Sequence, residues 1–339
     1  MSMLKYFIRR LVAMIPVLFG ILIMTFVLSR LMPGDPVLAV LPERHTPQQY
    51  RDALVALGLD QPIIIQFFRY VGDIFTGNWG DSVSVAPGAP VWGLVWKRFP
   101  RTMDIALFSM IIAAFVGIKT GVISATHRNK AKDTVIRGLA LVGVSIPVFW
   151  LGLTLQWIFA YQIPIFPAIG YKTSGPNSDP PYLTGFRLID SLLSGRFDLM
   201  IDYIYHLILP VLCLSFIILA SITRQSRSSM LEVLEQDYIR TARAKGCKEK
   251  TVINSHALRN SLIPTVTVIG LNFGGLLGGA VLTETTFSLW GMGDLLIWAI
   301  RDVDYWLLNA IVLLTAFLFI FVNLIVDMLY AVIDPRIRY

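Results

Sequence analysis

Charge is scarce in this sequence. Asp, Glu, Lys and Arg together make up 15% of 339 residues, where about 25% is ordinary for a soluble domain, while hydrophobic residues reach 55%. That balance excludes a disordered chain, and so few charges cannot cover so much apolar material in water. A bilayer removes the need to. Cysteine is nearly absent: Cys213 and Cys247 are too few and too scattered for a disulfide framework or for a zinc or iron–sulfur site. Catalytic signatures are missing as well. There is no G-x-x-x-x-G-K-[S/T] and hence no P-loop ATPase site, no H-E-x-x-H and no G-x-S-x-G. The four histidines, His45, His127, His206 and His256, are dispersed and suggest neither a metal cluster nor a Ser/His pair. No catalytic residue and no metal ligand is expected.

What the chain has instead is long apolar runs. About 20 apolar residues carry a helix across ~30 Å of hydrocarbon. Six segments reach that length: Tyr6–Leu31, Met103–Thr126, Thr134–Tyr161, Tyr203–Thr223, Leu262–Leu282 and Trp306–Val332. The first is longer than the ~7–15-residue core of a signal peptide and no small-x-small site follows it. It reads as a retained helix, ended by a turn at Leu31-Met32-Pro33-Gly34-Asp35-Pro36. Lys and Arg collect in cytoplasmic loops. With the N-terminus inside, 17 of them fall in inner segments and 11 in outer ones, seven of the latter in the long stretch from Arg30 to Arg101 where the rule has little force. Both termini are therefore expected on the cytoplasmic side.

The segments outside the spans are structured too. Thr46 as N-cap and Pro47 at the first helical position predict a short helix through Leu57, stopped by Gly58. Pro62–Phe75 repeats the pattern, with Ile63, Phe67, Tyr70, Val71 and Ile74 at helical spacing. Pro164–Asp202, rich in Pro and Gly, reads as an irregular loop. Thr283–Tyr305, with Glu284, Asp294, Asp302 and Asp304, reads as a turn-rich, re-entrant or lid-like stretch. The longest inner segment is Ser226–Ser261. A helix is predicted over Met230–Lys245, with Leu231, Leu234, Tyr238, Ile239 and Ala242 on one face, basic residues in the last turn and Gly246 as its stop. Such a helix suits anionic lipid or a cytoplasmic protein; Glu232, Glu235, Asp237 and Glu249 weaken the lipid reading. The fifth span carries Gly270, Gly274, Gly275, Gly278 and Gly279, small-xxx-small spacings that let backbones approach. They read either as tight helix packing or as a pore helix at a subunit contact. Asp327, four residues after Asn323, is expected to pair with an inner-side arginine.

Taken together these pieces resemble one family, the permease subunits of ATP-binding-cassette importers, in their dipeptide, oligopeptide and nickel branch. The opening Leu4-Lys5-Tyr6-Phe7-Ile8-Arg9-Arg10-Leu11 through Ile15-Pro16, followed by Pro33-Gly34-Asp35-Pro36, is similar to the B-type permease of that branch. The run Asp237-Tyr238-Ile239-Arg240-Thr241-Ala242-Arg243-Ala244-Lys245-Gly246, then His256-Ala257-Leu258-Arg259-Asn260 and Pro264, resembles its coupling motif, with Arg240-Thr241-Ala242 where the wider motif opens Glu-Ala-Ala. Leu282-Thr283-Glu284-Thr285 and the ending Asp334-Pro335-Arg336-Ile337-Arg338 also match.

The resemblance implies an all-α integral membrane protein with six transmembrane helices, a type I importer permease fold and a small extracytoplasmic insertion. Its parts would be an N-terminal transmembrane helix (1–32), the insertion (33–101), a permease core (102–332) holding the outer loop 164–202 and the cytoplasmic coupling segment 226–261, and a cytoplasmic tail (333–339). It implies ATPase coupling through Asp237, Tyr238, Arg240, Thr241, Ala242, Arg243, Ala244, Lys245 and Gly246, with Ala242, Ala244 and Gly246 permitting close docking. The implied partners are a homologous second permease, two ATPase subunits that use ATP and Mg, an extracytoplasmic binding protein and membrane lipid, with no nucleic acid and no cofactor on this chain. The location would be the prokaryotic inner membrane. Peptides are the implied cargo, with oligosaccharides and nickel chelates as alternatives. A non-conducting membrane scaffold or receptor is the alternative from another class.

Overall fold

Among the described residues five helices are long and apolar enough to cross a membrane, and a sixth crossing is made if one sharply bent pair counts as a single span. The computed structural model describes residues 3–31, 35–42 and 44–333. Met32-Pro33-Gly34 of the predicted turn and the tail carrying Arg336 and Arg338 lie outside the described residues. Helix α1 (Met3–Leu31) is followed by three short helices, α2 (Pro36–Val40), α3 (Pro47–Ala56) and α4 (Ile63–Phe75). Next come α5 (Val91–Thr126), α6 (Ala131–Ser145) and α7 (Val148–Gln156), the last running into a π-helical turn, Trp157–Gln162. After them stand α8 (Arg187–Leu193), α9 (Phe197–Leu234), α10 (Asp237–Ala244) and α11 (Glu249–Thr251), then a second π-helical turn, Val252–Ala257. The chain continues as α12 (Leu258–Gly279), α13 (Val281–Phe287), α14 (Met292–Arg301) and α15 (Tyr305–Ile333). Among the described residues the only β pairing is one antiparallel bridge, Asp81 to Pro90.

The local signals before α5 act as their chemistry requires. Thr46 and Gln49 exchange hydrogen bonds in a capping box at the start of α3, and Gly58 takes φ +65° just after it. The loop leading into α5 is pinned by one buried carboxylate. Asp304 Oδ2 accepts from Ser82 Oγ at 2.5 Å and from the amides of Val83, Ser84 and Val85 at 3.1, 3.2 and 3.2 Å. That nest ties residues 82–85 to the start of α15.

Several predicted elements differ from the structure. The second span begins at Val91, not Met103, because its helix carries Lys97, Arg98 and Arg101 beyond the apolar stretch; the last residues of the predicted insertion thus belong to α5. The third span is broken by 101° between α6 and α7. Pro147 supplies no amide and forces Ile146 into extended backbone at ψ 127°. The helix predicted over Met230–Lys245 is two: α9 runs on to Leu234, and α10 starts afresh at Asp237. The two stretches read as irregular, 164–202 and 283–305, contain α8, α13 and α14. The expected partner of Asp327 is Arg10, at 3.0 Å.

The core is built on close approach of α5 and α9. A Cβ on Gly117 would stand 2.8 Å from Ile222 Cγ2, and one on Gly121 2.6 Å from Ser226 Cβ. Thr120 and Thr223 share a hydrogen bond of 2.8 Å across the same seam. The α12–α15 contact is as tight: a Cβ on Gly270 would lie 2.0 Å from Val326 Cγ2, and one on Gly274 2.7 Å from the Phe319 ring. Gly275 has nothing within 4 Å on its Cβ side. Gly278 and Gly279 close α12, their surroundings lying outside the described residues.

Gly270→Ala is expected to destabilise the purified chain by about 1–3 kcal/mol through overpacking on Val326, whereas Gly275→Ala is expected to be neutral or stabilising; thermal unfolding in detergent compares them. Asp304→Ala strands five donors, the four at Oδ2 and the Leu307 amide at Oδ1, and should cost on the order of 3 kcal/mol. Faster proteolytic cutting between residues 76 and 90 would report it.

Candidate functional site

α10 is short, polar and seated on apolar ground. Ile239 and Ala242, three apart, face inward and are buried with Met230 of α9, Ala125 of α5 and Val252 and Ala257 of the second π-helical turn. Ile239 is fully buried, so α10 is held by one deep apolar knob, worth about 1.5–3 kcal/mol. Asp237, Arg240, Thr241, Arg243, Ala244 and Lys245 are exposed, and so is Gly246 just past the helix. The sequence placed Ala242 among the residues permitting close docking of a partner. The structure turns it into the chain's own core instead, because it shares the inward face with Ile239.

Both ends of α10 are fixed by backbone chemistry. At its C-terminus the amide of Cys247 reaches Ala242 O at 3.2 Å and that of Gly246 reaches Arg243 O at 2.9 Å. This is a Schellman stop, with Gly246 at φ +78°. A non-glycine residue there bears the strain of left-handed backbone. At the other end Glu235 and Gln236 break the path from α9, and Arg128 braces the break through Glu235 at 3.0 Å.

The exposed charges are partly paired. Arg243 binds Glu249 through two nitrogens, at 2.7 and 3.2 Å, and those hydrogen bonds raise its pKa further above the usual arginine value. Arg240 meets Asp237 at 3.3 Å. Tyr238 Oη accepts from Asn260 Nδ2 at 2.9 Å, which ties α10 to the start of α12. Behind them Asp133, wholly buried, takes Arg227 at 2.8 and 3.0 Å, Ser124 Oγ at 2.5 Å and the Asn129 amide at 3.0 Å. One carboxylate thus locks α5, the α5–α6 turn and α9 together. The result is a rigid platform presenting a mostly basic helix face, joined at its edges to three long helices.

At the opposite end of the bundle stands a second constellation that sequence reasoning missed. Arg98 and Arg101 both donate to the carbonyl of Trp290, at 3.0 and 2.7 Å. Trp290 itself is held at φ +57°, with its amide on Asp294 at 2.7 Å. Fully buried Glu284 accepts from Thr102 Oγ1 at 2.6 Å and from the Gly293 amide at 2.7 Å. These bonds clip the α13–α14 hairpin to α5 across some 190 residues of chain. The acids were visible in the sequence; nothing local marked their partners. Among the described residues no group of three His, Cys, Asp or Glu side chains converges as a metal site.

Comparison with known proteins places this geometry. Residues 117–339 match the family described as the binding-protein-dependent transport system inner membrane component, and residues 3–106 match its N-terminal membrane component. The dipeptide transport system permease protein of Alkalihalophilus pseudofirmus is 44% identical over 99% of this chain and 100% of its own. The di/tripeptide transport system permease protein of Pseudomonas aeruginosa is 45% identical over 99% of both chains, and the dipeptide transport system permease protein of Escherichia coli K12 is 44% identical over 99% of both. Among solved structures, an inward-facing form of the MetNI methionine ABC transporter shares the fold, with TM-score 0.56, 15% identity and coverage of 72% of this chain and 98% of that one. The chain is a multi-pass membrane protein and belongs to the family of binding-protein-dependent transport system inner membrane components.

Proposed function

We propose that this permease subunit forms one half of the translocation path of a peptide importer and takes its driving force through α10. The observation that carries the reading is the seating of α10. An exposed, basic, rigidly terminated helix face rests on the ends of α5, α9 and α12, so a push on it reaches the bundle directly. Near-full-length likeness to dipeptide permeases supports peptides as the cargo. Oligosaccharides and nickel chelates are the other cargo classes that a transport assay separates.

In this reading the α10 end is cytoplasmic, with both termini there, and the membrane is the prokaryotic inner membrane. Two ATPase subunits use ATP and Mg and seat α10, with Asp237, Tyr238, Arg240, Thr241, Arg243, Ala244, Lys245 and Gly246 at or beside the contact. A homologous permease completes the path and a binding protein delivers cargo to the end carrying α8, α13 and α14. This chain binds no nucleotide itself. Gly270 and Gly274 keep α12 and α15 moving as a pair, and Gly275 leaves the other side of α12 free for a subunit contact or the path.

Gly246→Asp adds both backbone strain and a negative charge beside the basic face, and is expected to abolish ATP-driven peptide uptake in proteoliposomes while leaving membrane insertion intact. Wild-type cargo-stimulated ATPase activity in that variant would sink the coupling role. Cysteines placed by Thr241→Cys and Lys245→Cys are expected to crosslink to the ATPase subunits in an active assembly.

A further inference from the structure

The stretch between α1 and α5 reads from sequence as lying outside the membrane, yet α4 packs against the uncharged, apolar part of α1. Phe67 meets Phe19 and Phe26 edge-on, with ring centroids 6.0 and 5.3 Å apart, and Tyr70 shares a 3.1 Å hydrogen bond with Thr25. α1 carries no charged residue from Leu11 to Ser29. By helix rise, Thr25 and Phe26 lie roughly 6–8 Å short of Arg30 along that uncharged stretch, and Phe19 roughly 17 Å short of it.

Stepping about 100° per residue around α4 separates three faces. Phe67, Tyr70 and Ile74 pack on Leu22 and Phe26 of α1. One flank carries Ile64, Phe68 and Phe75, which are 67, 65 and 80% exposed. That flank has no charge, as a surface in hydrocarbon requires, and the helix satisfies its own backbone. The other flank carries Gln66, Arg69 and Asp73. They line a cavity of about 180 Å³ shared with Arg30 of α1 and with Trp306 and Asn309 of α15.

The cavity is charged and placed at the rim of the hydrocarbon. Arg30, Arg69 and Asp73 make no ion pair among the described residues. The Arg30 guanidinium lies over the Phe26 ring, 5.1 Å from its centroid. Arg69 reaches the cavity wall at Gly58, where a Cβ would stand 2.3 Å from its Nη1. Two guanidiniums suit a phosphate, and one carboxylate beside them suits an ammonium. We propose that α4 is an in-plane membrane helix and that the cavity on its polar flank holds the headgroup of a zwitterionic phospholipid, with phosphate on Arg30 and Arg69 and ammonium on Asp73. This goes beyond the transport reading and holds whichever cargo is carried.

The test uses the assembled importer in nanodiscs containing phosphatidylethanolamine. Nitroxides are attached through Ile64→Cys, Phe68→Cys and, on α1, Val27→Cys, with Cys213 and Cys247 replaced by serine. Power saturation is expected to show oxygen collisions dominating at 64 and 68, as at 27. Dominance of a water-soluble nickel chelate, or shielding from both reagents as under a protein partner, would overturn the membrane placement. Native mass spectrometry then reads the retained lipid. Arg30→Gln with Arg69→Gln is expected to retain about tenfold less phosphatidylethanolamine, and Asp73→Asn to lose preference for it over phosphatidylglycerol, both at unchanged melting temperature. Undiminished retention in the double variant overturns the headgroup site, as does binding of free phosphorylethanolamine with no phospholipid retained.

Discussion

Close backbone approach between α5 and α9 is the constraint on which the rest of this structure stands. Lipid offers apolar side chains no reason to leave it for one another, so helices in a membrane associate through packing and hydrogen bonds. Here Gly117 and Gly121 bring α5 down onto Ile222 and Ser226, and Thr120 bonds Thr223 across the gap. Both helices overrun the bilayer, 36 and 38 residues against the ~20 needed to cross it. The seam therefore supports two extramembrane constructions at once. One end carries Asp133, Arg227 and the α10 platform; the other carries Arg98, Arg101 and the clipped α13–α14 hairpin.

Those two ends explain how such a chain can work as part of a powered machine. Its polar side chains are spent on rigidity. Asp133 collects four bonds, Asp304 four at its Oδ2, and Glu284 is enclosed with its donors. Each is a buried carboxylate whose removal would strand several donors, which is why such groups fix geometry strongly. The helical path itself turns or changes register at Pro147, at Glu235–Gln236 and in the two π-helical turns.

Much of this was legible in the sequence, for a local reason. Thr46-Pro47, Gly58 and Gly246 act through their own backbone and their immediate neighbours, so their motifs predicted caps and stops correctly. The apolar runs located the membrane crossings. What was not legible depends on partners far along the chain or on length beyond the lipid. Hydropathy ends a span at Arg101, although the helix continues past it to Val91. Amphipathic spacing joined Leu231 and Leu234 to Ile239 and Ala242, because both sets face the same core; it could not see the break between them. Ala242 looked like a residue kept small for a partner, and only the packing shows it kept small for Ala125 and Met230. Pro147 did stand in the sequence as a signal for the broken third span.

The length of α9 has a mechanical consequence. A helix of 38 residues is roughly 57 Å long, and α10 follows directly beyond one tip of it. Pivoting such a rod by only about 10° around that tip sweeps the far tip through roughly 10 Å, wide enough to pass a small molecule. In the proposed reading, a modest rocking at α10 would thus be magnified at the far tip, with Pro210 the point inside the rod where a helix hydrogen bond is already missing.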